Sequence, residues 1–225
     1  ITLGYEDAAG GWSEGRAKVA GNPVRRAFLM ARRAAARRSL GVEPGQRLIV
    51  AFGGSQGARA INQAVLGAAD ALLRGGQTHL LHVSGWRDHA MVRDAVGKIS
   101  EHLREKYRLR PWLGEGEMAT ALAAGDVVVM RGGASAIAEA GATGIPAVVV
   151  PYPYARQQHQ AGNARFLLER GQGTVVEDDK LGPAALFKAV RQVSRQAVRK
   201  VDRRSRNAAR EIASLALGLA GLDLR

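Results

Sequence analysis

Five short apolar runs, each halting abruptly, constrain the fold of this chain more than any other feature. Leu48–Phe52 stops at Gly53-Gly54, Leu80–Ser84 at Gly85, and Asp126–Met130 at Arg131-Gly132-Gly133. Ala147–Val150 stops at Pro151, and Gly173–Val176 at the acidic Glu177-Asp178-Asp179. Runs of this length, rich in β-branched residues and without polar alternation, predict strands buried on both faces, the habit of parallel sheets. Stretches of helical period lie between them. Ala60–Leu73 carries Ile61, Val65, Ala68, Ala69 and Leu72 on one side, and Met118–Ala124, Ala134–Ala142 and Asn163–Arg170 follow. Strand, glycine turn, helix and strand again spell an α/β fold: a Rossmann-like parallel sheet with helices on both faces. Ile1–Tyr5 reads as a further strand severed from its partners.

Residues 20–180 are expected to form this Rossmann-like ligand-binding domain. Residues 1–19 are expected to be a remnant of an inter-domain segment or of an N-terminal domain, and residues 181–225 a basic helical tail. In that tail Pro183 suits a first helical turn, Leu186, Val190, Val193 and Ala197 give an apolar seam, and Gly218 is a stop. The first residue is Ile1 rather than Met, so the chain is expected to begin inside a longer reading frame.

Composition excludes several function classes. The chain has no cysteine, which removes a disulfide scaffold, thiolate metal sites and a cysteine nucleophile. No apolar run approaches bilayer length and no signal peptide is visible. With 33 Lys and Arg against 20 Asp and Glu, the net charge is +13. Arg25, Arg26, Arg32, Arg33, Arg37 and Arg38 form one acid-free stretch. Lys188, Arg191, Arg195, Arg199, Lys200, Arg203, Arg204, Arg206 and Arg210 form a second, opposed only by Asp202. The spacing of Arg191, Arg195 and Arg199 would put them on one helical face. Solvated helix faces are the first reading of these runs, and contact with an anionic membrane surface is the second. Nucleic acid is not expected as a partner. Aromatics make up 5% of the chain and none interleave the basic runs, so stacking platforms are lacking.

In open parallel sheets ligands sit beyond the carboxyl ends of the strands, so the loops that follow strands are where chemistry belongs. Gly53-Gly54-Ser55-Gln56-Gly57-Ala58-Arg59 lets a ligand approach the backbone closely and adds a hydroxyl, although a plain tight turn would look the same. It is neither a GxGxxG nor a Walker A sequence. Gly132-Gly133 opens a helix of small residues whose first amides are free for a diphosphate. Glu139, between one and two turns further on, could accept from a ribose diol or stand as a solvated surface carboxylate. In Pro151–Ala164 the prolines point to an extended loop, and Gln157, Gln158, His159 and Gln160 offer neutral donors and acceptors suited to sugar hydroxyls.

Taken together, Asn22-Pro23-Val24-Arg25, GGSQGAR at 53–59, RGGASAIAE at 131–139 and GIPAVVVPYPYARQQHQAGNA at 144–164 carry a family resemblance. In order and spacing they resemble the MurG family, the undecaprenyl-diphospho-muramoylpentapeptide N-acetylglucosaminyltransferases of bacterial wall synthesis. The resemblance covers that family's C-terminal half, the donor-sugar domain of a GT-B glycosyltransferase. It implies UDP-N-acetylglucosamine as donor substrate, no required cofactor or metal, and a lipid-linked acceptor bound through the N-terminal half, which would also supply the catalytic base. It further implies a cytoplasmic place, peripheral on the inner face of the bacterial plasma membrane, and little turnover by this chain alone. By position, Gly54, Ser55 and Gln56 resemble the donor-contacting serine loop, and Arg25 the donor-contacting arginine. Leu113 resembles the residue whose backbone reads the uracil edge. Ala134, Ser135 and Ala136 resemble the diphosphate-binding helix start, with Glu139 on the ribose hydroxyls. Gln160 resembles the glutamine on the N-acetylglucosamine hydroxyls, with His159 beside it. Two departures stand out: Ala136 replaces the usual threonine, and Arg156 stands near a place where relatives often carry an acid. The alternatives are the donor-binding subunit of a split transferase using another UDP-sugar, and a basic Rossmann domain binding nucleic acid.

Other chemistries lack support in the sequence. The histidines His79, His82, His89, His102 and His159 show no metal-ligand spacing. Ser84 is not framed by G-x-S-x-G. Glu115 and Glu117 flank Gly116 in what reads as a loop, too close in sequence for an acid/base pair. Asp126 reads as a cap at the start of a strand. Trp86 and Trp112 are expected to pack in the interior.

Overall fold

The computed structural model describes residues 1–5, 16–154, 159–196 and 199–221. In chain order the elements are β1 (Thr2–Leu3), β2 (Lys18–Val19), α1 (Arg26–Met30), α2 (Arg33–Ser39), β3 (Arg47–Phe52), α3 (Arg59–Leu73), β4 (Thr78–Val83), α4 (His89–Val96) and α5 (Glu101–Arg104). They continue with β5 (Tyr107–Arg110), α6 (Glu115–Ala124), β6 (Val127–Arg131), α7 (Ala134–Thr143), β7 (Ala147–Val150), α8 (His159–Leu168), β8 (Gly173–Val175), α9 (Pro183–Gln196) and α10 (Arg203–Leu219). Six strands form one parallel sheet in the order β5-β4-β3-β6-β7-β8. All five runs singled out in the sequence are strands of it.

The sheet is sealed on both faces. Leu48, Val50 and Phe52 of β3 face one apolar cluster with Val128, Met130 and Ile137, while Ile49 and Ala51 face the other with Ile61, Val65, Leu186 and Val190. This is the period-two alternation of a strand, apolar at every step because each face has a helix layer on it. Burying one such Val, Leu or Phe contributes roughly 1.5–3 kcal/mol. The seam of α9 is part of this packing: Leu186, Ala189, Val190 and Val193 are buried against the sheet and α3. α10 packs on α7.

Several expectations are corrected. A sixth strand, β5, lies at the sheet edge, where Tyr-Arg-Leu-Arg is only half covered and so lacks an apolar run. Thr2–Leu3 is not severed but pairs in parallel with Lys18–Val19 in a separate two-stranded sheet. Glu115 and Glu117 lie in the first turn of α6, not in a loop, and the Glu117 carboxylate accepts from the Gly114 N–H at 2.7 Å. Trp86 and Trp112 do not pack inside: they are 67% and 46% exposed, on loops that run past the ends of β4 and β5 beyond the covering helices.

Arg199 does not continue the face of Arg191 and Arg195, because it is not helical. Its guanidinium turns inward onto backbone carbonyls: Nη1 donates to Thr143 O at 2.5 Å, and Nη2 to Gly125, Leu122 and Ala123 O at 2.9, 3.1 and 3.1 Å. Arg33 reaches the same helix end, donating to Ala124 and Gly125 O at 2.9 and 2.7 Å and pairing with Asp126 at 2.5 Å. Arg37 pairs with the other Asp126 oxygen at 3.1 Å, and that oxygen also accepts from the Leu48 N–H at 2.8 Å. The last carbonyls of a helix are its electronegative pole, so guanidiniums there satisfy orphan acceptors and oppose the dipole. Burial, with Arg33 close by, pulls the Arg199 pKa down to about 10, which leaves it charged at neutral pH. Arg199→Ala should therefore lower stability by about 2–3 kcal/mol, read as an earlier midpoint in urea denaturation, whereas exposed Arg191→Ala should change it by less than about 0.5 kcal/mol.

Candidate functional site

The strand order reverses between β3 and β6, which are hydrogen-bonded neighbours with Phe52 opposite Met130. α3 leaves β3 toward one face of the sheet and α7 leaves β6 toward the other. The gap this opens outside the carboxyl ends is where doubly wound sheets take their ligands. A cavity of about 510 Å³ lies there, walled by Gly53, Gly54 and Gly57 after β3, by Gly133 and Ala136 at the start of α7, and by Tyr152 and Gln160. A hollow of similar size, about 550 Å³, lies around Tyr5, Phe166 and Arg203 and contains none of the sequence-expected residues.

Backbone contacts fix the shape of the cavity wall. Gly57 has φ +81°, and a Cβ there would stand 2.3 Å from the Ser84 carbonyl oxygen. The loops after β3 and β4 therefore interlock through bare backbone, which only glycine permits. On the far side a Cβ on Gly132 would stand 2.5 Å from the Gln160 carbonyl oxygen, so the loop after β6 lies flush against the first turn of α8. Asn163 strengthens that contact by donating to Gly132 O at 3.0 Å.

A buried polar chain supports the loop after β4. Asn62 Nδ2 donates to Ser84 O at 2.9 Å and to Asp88 Oδ2 at 3.1 Å, which turns its Oδ1 toward His82 Nε2 at 2.8 Å. That nitrogen must then carry the proton, so Nδ1 accepts from the Tyr107 hydroxyl at 2.6 Å. Burial, with His89 adding to it, lowers the His82 pKa to about 3 and keeps the ring neutral.

The sequence-expected residues fall into three groups. Gly54, Ala136 and Gln160 line the cavity. The Gln160 Oε1 accepts from the Tyr152 N–H at 2.9 Å, which leaves its amide N–H groups to donate elsewhere. Arg25 and Glu139 meet each other: Nε and Nη2 both donate to Glu139 Oε1, at 3.0 and 2.7 Å. Glu139 Oε2 accepts nothing among the described residues. Glu139 is one turn beyond Ala136 on α7, and Glu115 stands 3.8 Å from Arg25 on its other side. Burial raises the Glu139 pKa, and the Arg25 hydrogen bond and charge oppose the rise without cancelling it. Ser55, Gln56 and Ser135 are exposed and do not line the cavity, and Leu113 is buried just before α6. The Ala134 carbonyl accepts from the Tyr5 hydroxyl at 2.9 Å. His159 and Gln160 open α8 rather than ending a loop. The His159 side chain, Arg156, Gln157 and Gln158 lie outside the described residues.

Other residues at the cavity were not expected. Arg131, at the end of β6, pairs with Asp178, donates to Pro151 O at 3.1 Å and stacks 5.5 Å over the Tyr152 ring. Arg59 and Arg87 line the mouth. Arg131 had a signal, a charge closing an apolar run at the ligand edge. Arg59 stood directly after the glycine turn, but Arg87 had none.

The α7 end can hold an anion. Its N-cap, Gly133, supplies no side-chain cap, and no acid occupies its first turn. The leading N–H groups therefore face the cavity wall unopposed by negative charge. Among the described residues no group of three or more His, Asp or Glu could hold a metal ion.

Comparison with known proteins gives a consistent result. The model of the glycosyltransferase family 28 C-terminal domain matches residues 48–217. A UDP-N-acetylglucosamine–N-acetylmuramyl-(pentapeptide) pyrophosphoryl-undecaprenol N-acetylglucosamine transferase of Moorella thermoacetica is 37% identical over 87% of this chain and 53% of its own length. The protein of the same name from Halothermothrix orenii is 33% identical over 86% of this chain and 53% of its own. The chain thus spans about half the length of the curated relatives it matches. In fold it is similar to MurG of Acinetobacter baumannii, with TM-score 0.66 at 22% identity over 88% of this chain and 56% of that one. It is also similar to the calicheamicin glycosyltransferase CalG4, with TM-score 0.62 at 20% identity over 93% and 48%.

The wall geometry separates two glycine substitutions. Gly57→Ala should destabilise the chain by roughly 2–4 kcal/mol in urea denaturation, from the positive φ and the clash with Ser84. Gly133→Ala, with φ −64° and nothing within 4 Å of the added methyl, should stay within about 0.5 kcal/mol of the parent.

Proposed function

The chain belongs to the glycosyltransferase family 28 C-terminal domain family, and on that premise we propose that its cavity binds UDP-N-acetylglucosamine as the donor for sugar transfer to a lipid-linked muramoyl-pentapeptide in peptidoglycan synthesis. One observation carries the reading: the uncapped, acid-free start of α7 borders a cavity at the sheet's switch point, with a half-committed carboxylate, Glu139, one turn along the helix.

The N–H groups of Ala134, Ser135 and Ala136 hold the diphosphate. As the glycosidic bond breaks, negative charge builds on the UDP leaving group, and the pole of α7 stabilises it without a cation. Ala136 supplies no hydroxyl where the family has threonine, so backbone donors carry that contact. Glu139 accepts from the ribose hydroxyls through Oε2, while Arg25 fixes its rotamer and opposes the rise in pKa that burial causes. The Leu113 backbone reads the uracil edge. Gln160, its oxygen engaged by Tyr152, donates to hydroxyl oxygens of the N-acetylglucosamine, with His159 adjacent. Gly54 borders the diphosphate, with Ser55 and Gln56 in the exposed part of the same loop.

Calorimetric titration with UDP, UDP-N-acetylglucosamine and UDP-glucose tests this. The chain should bind the first two. Glu139→Ala should weaken both about 10–100-fold, the loss of a hydrogen bond to a charged group. Gln160→Ala should weaken UDP-N-acetylglucosamine and spare UDP. A chain that binds no UDP overturns the reading.

The raised Glu139 pKa adds a pH signature. Protonation removes the acceptor, so UDP affinity should fall on acidification with a midpoint above the ordinary 4.5, and Glu139→Gln should flatten the profile.

The reading also puts the protein at the cytoplasmic face of the plasma membrane, where a lipid-linked acceptor resides. Among the described residues no helix is long and apolar enough to cross a membrane. Arg26, Arg32 and Arg38 are exposed, and basic side chains near an anionic surface contribute about 1 kcal/mol each. Co-sedimentation with vesicles should rise with their anionic lipid content, and indifference to that content counts against surface attraction.

A further inference from the structure

Three guanidiniums line the cavity, and they differ in one respect. Arg131 is engaged by Asp178, by the Pro151 carbonyl and by the Tyr152 ring. Arg59 and Arg87 make no hydrogen bond or ion pair among the described residues. Arg33 and Arg199, by contrast, are occupied by helix-end carbonyls. The lining therefore carries three cations against one anion, Asp178, which Arg131 already neutralises.

The backbone beneath the two free guanidiniums is held in place. Arg59 is the first residue of α3 and follows the buried Ala58. Arg87 precedes the buried Asp88, which Asn62 grips from behind. Gly57 and Gly85 interlock the two loops. β3 and β4 are paired neighbours, so the loops rise roughly 5 Å apart and carry both guanidiniums to one mouth. Paired guanidinium forks match the oxygens of a phosphoryl group in geometry and in charge.

We propose that Arg59 and Arg87 form a phosphoryl clamp on the α3 side of the cavity, across the switch point from α7. The phosphoryl group belongs either to the nucleotide donor or to a second, phosphorylated substrate. The clamp rests on the donor reading only in taking the cavity as a site for a phosphorylated ligand.

Calorimetry on the 225-residue chain separates the sources. The titrants are UDP, uridine, and inorganic pyrophosphate with and without saturating UDP. Arg59→Ala and Arg87→Ala are compared with Arg38→Ala, which removes the same charge from an exposed site on α2, and circular dichroism checks the fold of each. If the donor's phosphates occupy the clamp, both cavity variants weaken UDP about tenfold or more and leave uridine unchanged. If a second substrate does, UDP is unaffected and pyrophosphate binding to the UDP-saturated chain falls by that factor. Arg38→Ala changes neither, and Arg59→Lys restores part of the loss, charge without the fork. A parent chain that binds pyrophosphate but not UDP, with variants that lose it, keeps the clamp and discards the donor reading. Cavity variants that match the parent for UDP and for pyrophosphate overturn the clamp, as does a parent that binds neither.

Discussion

A parallel sheet sealed on both faces leaves its strands one kind of exit. Every strand of the main sheet hands over at the same edge, and along the central strands β3, β6 and β7 the side chains between the ends are buried and apolar. Polar function is therefore confined to the rim. The rim becomes a site only where the order reverses, between β3 and β6, because there the outgoing helices part to opposite faces. The apolar runs that made the strands recognisable are thus also what placed the cavity.

The basic composition has a different meaning in the folded chain. Arg33, Arg37 and Arg199 meet at the end of α6 and at Asp126. Arg206 reaches Leu29 O at 2.7 Å and approaches Ala142 O, tying α10 to the ends of α1 and α7. These guanidiniums serve carbonyls that water would otherwise have to satisfy, and their charge is largely withdrawn from the surface. A net charge of +13 therefore overstates what a membrane or other polyanion would meet. Exposed basic side chains remain on α1, α2, α9 and α10, and at the ligand edge Arg59 and Arg87 have no hydrogen-bond or ion-pair partner among the described residues.

Legibility followed burial. Strands covered on both faces announce themselves as apolar runs, and β5 did not, since an edge strand with two arginines has no such run. Helix ends were harder to read. The prolines of 151–164 spelled an extended loop, but His159–Leu168 is helical, and its first turn lies against Gly132. The spacing of Arg191, Arg195 and Arg199 suggested one face, but Arg199 is not helical, which periodicity alone does not reveal. At the site, residues following strand ends, such as Gly54, Ala136 and Gln160, were readable from position alone. Contacts across long separations were not. Tyr5 meets Ala134 across 129 residues, and nothing local to either marks it. Arg25 and Glu139 were both singled out, but their bond to each other was not, because residue type says nothing about pairing at 114 residues' distance.

The two buried titratable groups near the switch point respond to acid in opposite senses. Glu139 has a raised pKa, so its contribution to stability is present at low pH and is lost as pH rises through its folded value. His82 has a lowered pKa, so its contribution is present above 6.5 and drains away as pH falls from 6.5 toward about 3. Burial thus works against the charged form of Glu139, with Arg25 offsetting part of the penalty, and favours the neutral ring of His82. The carboxylate carries a desolvation penalty that Arg25 offsets only in part. The imidazole is the settled member, donating to Asn62 and accepting from Tyr107 in a chain with a single direction. On α7 that leaves a carboxylate beside the cavity, and on the other side of the rim a settled polar chain that braces the backbone carrying Arg59 and Arg87.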